Sequence, residues 1–166
     1  MKKLAATLCV LALVVSWGGI ALAADNASQT VTYSVSAINE ISVSGDPASL
    51  DITTATAGSD PNQVTDSSTT YSISTNGTDK KITAELDTDV AAGLTLEINL
   101  ADPDGGGSAT SAGDVTLTSS AADCVTSITG LAASAKTITY KFSATMAAGV
   151  VGSTGKTVTL TVVAGS

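Results

Sequence analysis

ITYKFSA (residues 138–144) and TVTLTV (residues 157–162) decide the fold, because apolar and polar side chains alternate regularly through both stretches. An alternation with period two puts the apolar side chains of a β-strand on one face and its threonines and serines on the other. The same period recurs along the chain. The positions that we predict to face a core, or a groove between sheets, are Leu94, Leu96, Ile98, Ile138, Tyr140, Phe142, Val158, Leu160 and Val162.

Turn-forming residues separate these runs. Asn76-Gly77 predicts a hairpin turn, because both residue types tolerate a positive φ. Residues 54–68 predict a long polar connection that crosses between sheets. Short strands spaced by turns, with no helical period after the N-terminus, predict an all-β protein: an antiparallel two-sheet sandwich of about 7–9 strands.

The N-terminus predicts export. Lys2 and Lys3 precede an apolar run, and Ala21-Leu22-Ala23 supplies the small residues that signal peptidase requires. We therefore expect a signal peptide over residues 1–23 and a single β-sandwich domain over residues 24–166. The predicted location is secreted, either extracellular or on the cell surface, with no membrane insertion.

The charge of the exported chain limits its partners. Cleavage after residue 23 removes two of the seven Lys, which leaves five against fifteen Asp and Glu, a balance of −10. A chain this acidic repels phosphate backbones, so we expect no nucleic-acid partner. The exported part retains one cysteine, Cys124, which is either a small apolar residue of a strand or the source of an intermolecular disulfide.

The sequence offers little for catalysis. It contains no His, the commonest general base, so Ser-His-Asp and Cys-His arrangements are excluded. We predict no catalytic residue, no cofactor and no enzymatic activity. Asp102 and Asp104, beside a run of three glycines, form a weak candidate for Ca²⁺, which prefers oxygen ligands, but a plain turn explains the same residues.

Four stretches resemble Ig-like fimbrial subunits, particularly the alpha-fimbrial major pilins and, more distantly, spore-coat-U-type secreted domains, whose paired cysteines this chain lacks. The stretches are NASQTVTYSVSAINEISVSG (residues 26–45), TYSISTNGTDKKITAELD (residues 70–87), TLEINLADPDGG (residues 95–106) and GVVGSTGKTVTLTVVAGS (residues 149–166). Residues 70–87 resemble the central hairpin of such a subunit, and residues 149–166 resemble its C-terminal strand.

The resemblance implies an Ig-like sandwich that polymerises by donor-strand complementation, in which an N-terminal segment of one copy fills a groove of the next. The candidate donor strand is residues 24–38, with Val31, Tyr33, Val35 and Ile38 as the groove-filling residues. The implied partners are further copies of the chain and an assembly chaperone. Two alternatives stay open: the segment is the first strand of its own sandwich, or the protein is a monomeric Ig-like surface module for adhesion or glycan binding.

Overall fold

A computed structural model describes residues 26–165, so the predicted signal peptide and the first two residues of the predicted donor strand lie outside the described residues. The chain divides into two units between Ser34 and Val35. The second unit contains a short 3₁₀ helix, Met146–Ala148, and all nine strands of the described residues. The strands are β1 Asn39–Val43, β2 Val64–Thr75, β3 Lys80–Leu86, β4 Leu94–Leu100, β5 Ser108–Ser111, β6 Val115–Thr116, β7 Ala122–Thr129, β8 Leu131–Ala144 and β9 Val158–Ala164.

The strands form two antiparallel sheets, which confirms the predicted all-β sandwich. One sheet has the order β1-β2-β8-β4-β6 and the other the order β5-β7-β3-β9. In the constant-type Ig topology, the sheets have the orders A-B-E-D and C-F-G. Strands β1-β2-β8-β4 follow the A-B-E-D order, and β3-β9 follows C-F. Among the described residues, no strand occupies the position that strand G takes beside F.

The core lies between the sheets, where the alternation predicted it. Ile82 and Ala84 of β3, Ile98 of β4 and Ile138 of β8 are buried, while their neighbours in sequence are more exposed. Each of these three strands therefore buries one face, as its period of two requires. The Tyr71 hydroxyl also lies inside and donates a hydrogen bond of 2.5 Å to the carbonyl oxygen of Ala101.

Two predicted connections are wrong. Asn76-Gly77 lies in the connection from β2 to β3, which bends at the next two residues, but these strands lie in different sheets, so the connection is an arch and not a hairpin. The positive φ in this arch belongs to Asp79 and not to Asn76. The polar stretch 54–68 does not cross between sheets, because it leads from β1 to β2, which pair with each other, and its last five residues already belong to β2.

Residues 26–38 contain no strand and the first described strand begins at Asn39, which counts against the alternative that this segment is the first strand of its own sandwich. The strands of the described residues therefore lie between Asn39 and Ala164. Within the described residues there is no helix long and apolar enough to cross a membrane.

Candidate functional site

Strand β9 has one free edge. Its only neighbour in the sheet of the described residues is β3. The Asp87 amide donates to the carbonyl of Thr157, and the Gly165 amide donates to the carbonyl of Asp79. Hydrogen-bonded pairs alternate along an antiparallel ladder, so the odd-numbered residues of β9 bond to β3. The even-numbered residues direct their N–H and C=O groups to the free edge: Val158, Leu160, Val162 and Ala164.

A groove of about 1480 Å³ runs beside this strand. Its walls are side chains of β9, chiefly Val158 and Leu160, and two loops, residues 45–53 and 149–157. Its floor comes from the inner faces of β4 and β8, and consists of Leu94, Leu96, Ile138, Tyr140, Phe142 and Ala144. The groove exceeds the roughly 300–1,000 Å³ of a typical small-molecule pocket, which suits a segment of polypeptide better.

The predicted groove and core residues fall into two groups. Ile98, Ile138 and Tyr140 are buried. Leu94, Leu96, Phe142, Val158, Leu160 and Val162 are only half-buried, although they occupy the same inward-facing positions of their strands. All of these half-buried residues except Val162 line the groove, and Val162 packs against the core. The sequence could not separate the two groups, because the alternation is the same in both.

The candidate donor residues are exposed. The side chains of Val31, Tyr33 and Val35 are 70%, 89% and 79% exposed, and that of Ile38 is 43% exposed. Exposing an aromatic and two aliphatic side chains in one uncovered run is unfavourable in water, so this segment has apolar surface to bury elsewhere.

The segment also differs from the rest of the chain in charge. Residues 26–38 contain no Asp, Glu, Lys or Arg, whereas the whole chain carries fifteen acidic residues. The loops of the groove contribute Asp46, Asp51, Asp89 and Lys156. Residues 26–38 can enter this groove without desolvating a charge of their own and without Coulomb repulsion, because the one charged side chain of the candidate donor strand, Asp25, precedes them. Sequence reasoning missed this contrast in charge, although the composition of the segment contains it.

The Asp102 and Asp104 carboxylates are engaged with the protein. Asp102 accepts a hydrogen bond from the amide of Ser111, and Asp104 forms an ion pair with Lys136. The described residues include no cluster of three or more metal-ligating side chains. These contacts favour the interpretation of residues 102–107 as a turn over that of a calcium site.

Cys124 is fully buried in the core, which favours the interpretation of this residue as a small apolar residue of a strand. Burial raises the pKa of its thiol to about 11 and, at the floor of the groove, raises the pKa of the Tyr140 hydroxyl to about 12. Both groups therefore stay protonated and neutral at physiological pH, and neither is an activated nucleophile or base.

No protein-family model, curated protein or solved structure matches this chain. The features that bear on function are therefore those of the molecule itself: the free edge of β9, the groove beside it and the uncharged apolar segment before β1. Within residues 26–165, they provide an edge position beside β9 that no strand occupies and a segment with a strand-like pattern that belongs to no sheet.

Proposed function

We propose that this protein is a secreted structural subunit of a fimbria-like extracellular filament, in which residues 26–35 of one copy fill the groove of the next. The observation that carries the proposal is that the described residues have both an Ig-like sheet whose last position beside β9 is vacant and an exposed apolar segment that forms no strand. The protein is exported by the signal peptide predicted over residues 1–23.

The apolar residues of the donor segment and those of β9 have the same spacing along the chain. Val31, Tyr33 and Val35 lie two residues apart, as do Val158, Leu160 and Val162. A strand paired with β9 would place side chains of the same face opposite one another, so three apolar residues of the segment meet three of β9. The same residues of β9 present their backbone N–H and C=O groups to the newcomer, as an edge strand does in β-augmentation.

A stable filament requires both the burial of apolar side chains and the backbone hydrogen bonds of the new strand pair. Burying two valines and a tyrosine stabilises the complex by on the order of 5–8 kcal/mol. Immobilising a partner costs about 4–15 kcal/mol, which consumes most or all of that gain. Ladder hydrogen bonds contribute about 0.5–1.5 kcal/mol each and decide whether the filament is stable. A balance of −10 on each exported copy opposes assembly, but salt screens exposed charges beyond about 8 Å at physiological ionic strength.

The unfilled edge also predicts the need for a second partner. A free edge strand beside an apolar groove is an aggregation hazard until it is covered. An exported subunit therefore requires a temporary strand from an assembly chaperone before it joins the filament.

The test compares the exported chain, residues 24–166, with a variant that lacks residues 24–36. Electron microscopy is expected to show filaments of the first and none of the second. The shortened variant is expected to fold and to bind a synthetic peptide of residues 26–38. Persistent monomers of the complete exported chain under all conditions, with no binding of the peptide, would refute the proposal and leave the monomeric surface module as the alternative.

A further inference from the structure

The side chain of Asn76 holds the chain immediately before β1. The Ile38 amide donates a hydrogen bond of 2.9 Å to the Asn76 Oδ1, and the Asn76 Nδ2 donates one of 2.8 Å to the carbonyl of Ser36. The backbone amide of Asn76 donates a third, of 3.3 Å, to the carbonyl of Ile38. Residues 36–38 lie outside β1 and are nevertheless tied by their backbone to the arch between β2 and β3.

The arch that carries Asn76 is itself fixed to the sandwich. The Gly77 carbonyl accepts a hydrogen bond of 3.0 Å from the amide of Gly130, in the connection between β7 and β8. The Asp79 carbonyl accepts one from the amide of Gly165, just after β9. The Asp79 amide donates to Thr129 Oγ1 at 3.2 Å. Asn76 therefore connects residues 36–38 to an arch that is itself hydrogen-bonded to the ends of β7 and β9.

Thr75, the residue before Asn76, also holds the chain at the start of β1. Thr75 is buried, and its hydroxyl donates a hydrogen bond of 2.8 Å to the Oδ1 of Asn39, the first residue of β1. Thr75 Oγ1 in turn accepts the amide of Gly77 at 3.1 Å. The contacts of Thr75 hold the beginning of β1, whereas those of Asn76 extend the hydrogen-bonded backbone to Ser36, three residues before the strand.

We propose that Asn76 is a positioning residue that fixes the point at which the donor segment leaves the sandwich, and so sets the stiffness of the filament. The inference rests on the proposed function. In a filament, the donor segment belongs to one copy and lies in the groove of the next, so any loose residues between it and β1 act as a flexible linker. By holding Ser36 and Ile38, Asn76 keeps residues 36–38 on their own copy, so that only the residues before Ser36 are donated and Ile38 stays outside the groove of the next copy. The linker between the donated residues and β1 is then short and fixed, and a shorter linker leaves two subunits less freedom.

The residue type matters because of the amide. Asn76 has no positive φ, so a left-handed backbone is not the reason for an asparagine here. An amide supplies one acceptor for the Ile38 N–H and one donor for the Ser36 carbonyl at the same position. Asn76→Asp keeps the acceptor and loses the donor, whereas Asn76→Ala loses both.

The experiment uses the exported chain with Asn76→Ala, Asn76→Asp and the control Asn99→Ala. Asn99 is a half-buried residue of β4 whose amide donates to Asp114, away from residues 36–38. Hydrogen exchange of residues 36–38, followed by mass spectrometry in freshly refolded monomer, reads the attachment without filaments. Electron microscopy then gives the persistence length of the filaments.

We expect Asn76→Ala to raise the exchange rate of the Ile38 amide by at least about tenfold, because the acceptor of its hydrogen bond is lost. The filaments of this variant are expected to have a persistence length at least about twofold shorter. Asn76→Asp is expected to retain most of the protection of the Ile38 amide, and Asn99→Ala to behave like the wild type in both measurements.

The outcomes distinguish the two proposals. If the wild type forms filaments and Asn76→Ala leaves both exchange and persistence length unchanged, the positioning role is refuted and strand donation stands. Faster exchange with filaments of unchanged stiffness also refutes it, because the attachment then has no effect on assembly. If the wild type forms no filaments and binds no donor peptide, the proposed function fails and the positioning role fails with it.

Discussion

The sandwich has two regions with the same alternating sequence pattern: the interior, where the apolar side chains are fully buried, and the margin, where those around the groove beside β9 are half-buried. In the interior, Ile82, Ile98 and Ile138 are excluded from water. At the margin, Leu96, Phe142 and Leu160 remain half-buried around the groove. The residue types and the alternation are alike, and the difference is that the strand at the margin, β9, has one neighbour in its sheet. Local pattern therefore determines which face of a strand is apolar, and topology determines whether that face is covered.

The two regions are expected to contribute differently to the protein. Side chains that are buried within one copy stabilise that copy. Half-exposed side chains contribute less to folding, but they still have apolar surface that a partner can remove from water. Substitutions in each region test this division, beginning with the largest expected effect.

Ile82→Ala is expected to lower the free energy of unfolding by about 2–5 kcal/mol, because it removes a fully buried side chain and leaves a cavity. Leu160→Ala is the matched variant on the neighbouring strand β9 and is expected to lower it by about 1 kcal/mol or less, because the side chain is already half-exposed. Urea denaturation, with both substitutions made in the variant that lacks residues 24–36, gives both values. Equal losses for the two variants would show that the margin is as tightly packed as the interior.

Filling the groove should bury the half-exposed side chains of the margin and so stabilise the protein. A peptide of residues 26–38, added at 100 times its Kd to the protein without its donor segment, is expected to raise the free energy of unfolding by about 2.7 kcal/mol. A peptide with Tyr33→Ala should bind about 10–100-fold more weakly, since it loses the largest side chain of its apolar face.

The control peptide carries Ser34→Ala, on the opposite face of the same segment, and should bind about as tightly as the original. Calorimetric titration measures the affinities of all three peptides. Loss of binding by the Ser34 variant, with none by the Tyr33 variant, would place the other face of the segment in the groove.

The sequence predicted the strands whose alternation is uninterrupted and missed those in which it breaks. In β7, Cys124 and Val125 are adjacent and both buried, because register shifts interrupt the pairing of β3 with β7. Ser127 in the same strand and Ala135 in β8 have positive φ values of 56° and 52°, which locally disturb the alternation. Bulges of this kind depend on contacts with neighbouring strands, so a single sequence does not reveal them.

The candidate site was predicted in its residues but not in its geometry. The alternation identified Leu96, Phe142 and Leu160 as inward-facing, but it contained nothing about the neighbour that β9 lacks. The alternation also predicted a strand around Tyr33. It could not show which copy that strand joins, because self-insertion and donation require the same apolar face. The attachment by Asn76 was missed for a related reason: the sequence indicated a turn, and the partners of its amide lie about 40 residues away in the chain.

Alkaline pH gives a smaller effect that also separates the two regions. Burial raises the pKa of the Cys124 thiol from 9.0 to about 11. The unfolded chain therefore loses this proton first, and the contribution is complete below pH 9 and declines as the pH rises to 11. We expect a loss of about 1–3 kcal/mol from this group over that interval.

The measurement is the difference between the wild type and Cys124→Ala in the pH dependence of the free energy of unfolding. The matched variant Leu160→Cys, made in Cys124→Ala, places the only thiol at the margin. That thiol should react rapidly with a thiol reagent at pH 8, whereas Cys124 in the wild type should react slowly. Comparable rates would contradict the assignment of the two positions to different regions.

The smallest effect is expected from the exposed charges, which lie in neither region. Lys141 forms an ion pair with Asp114, and this contact, together with the Asn99 amide, lowers the pKa of the Asp114 carboxyl. A lowered pKa contributes stability above the ordinary pKa of a carboxyl, and the contribution is lost as the pH falls. Because solvent screens an exposed pair, Lys141→Met should raise the pKa of Asp114, measured by NMR titration, and leave the urea midpoint at pH 7 within error. A loss as large as that of Ile82→Ala would mean that surface charge, and not the sealed interior, holds the sandwich together.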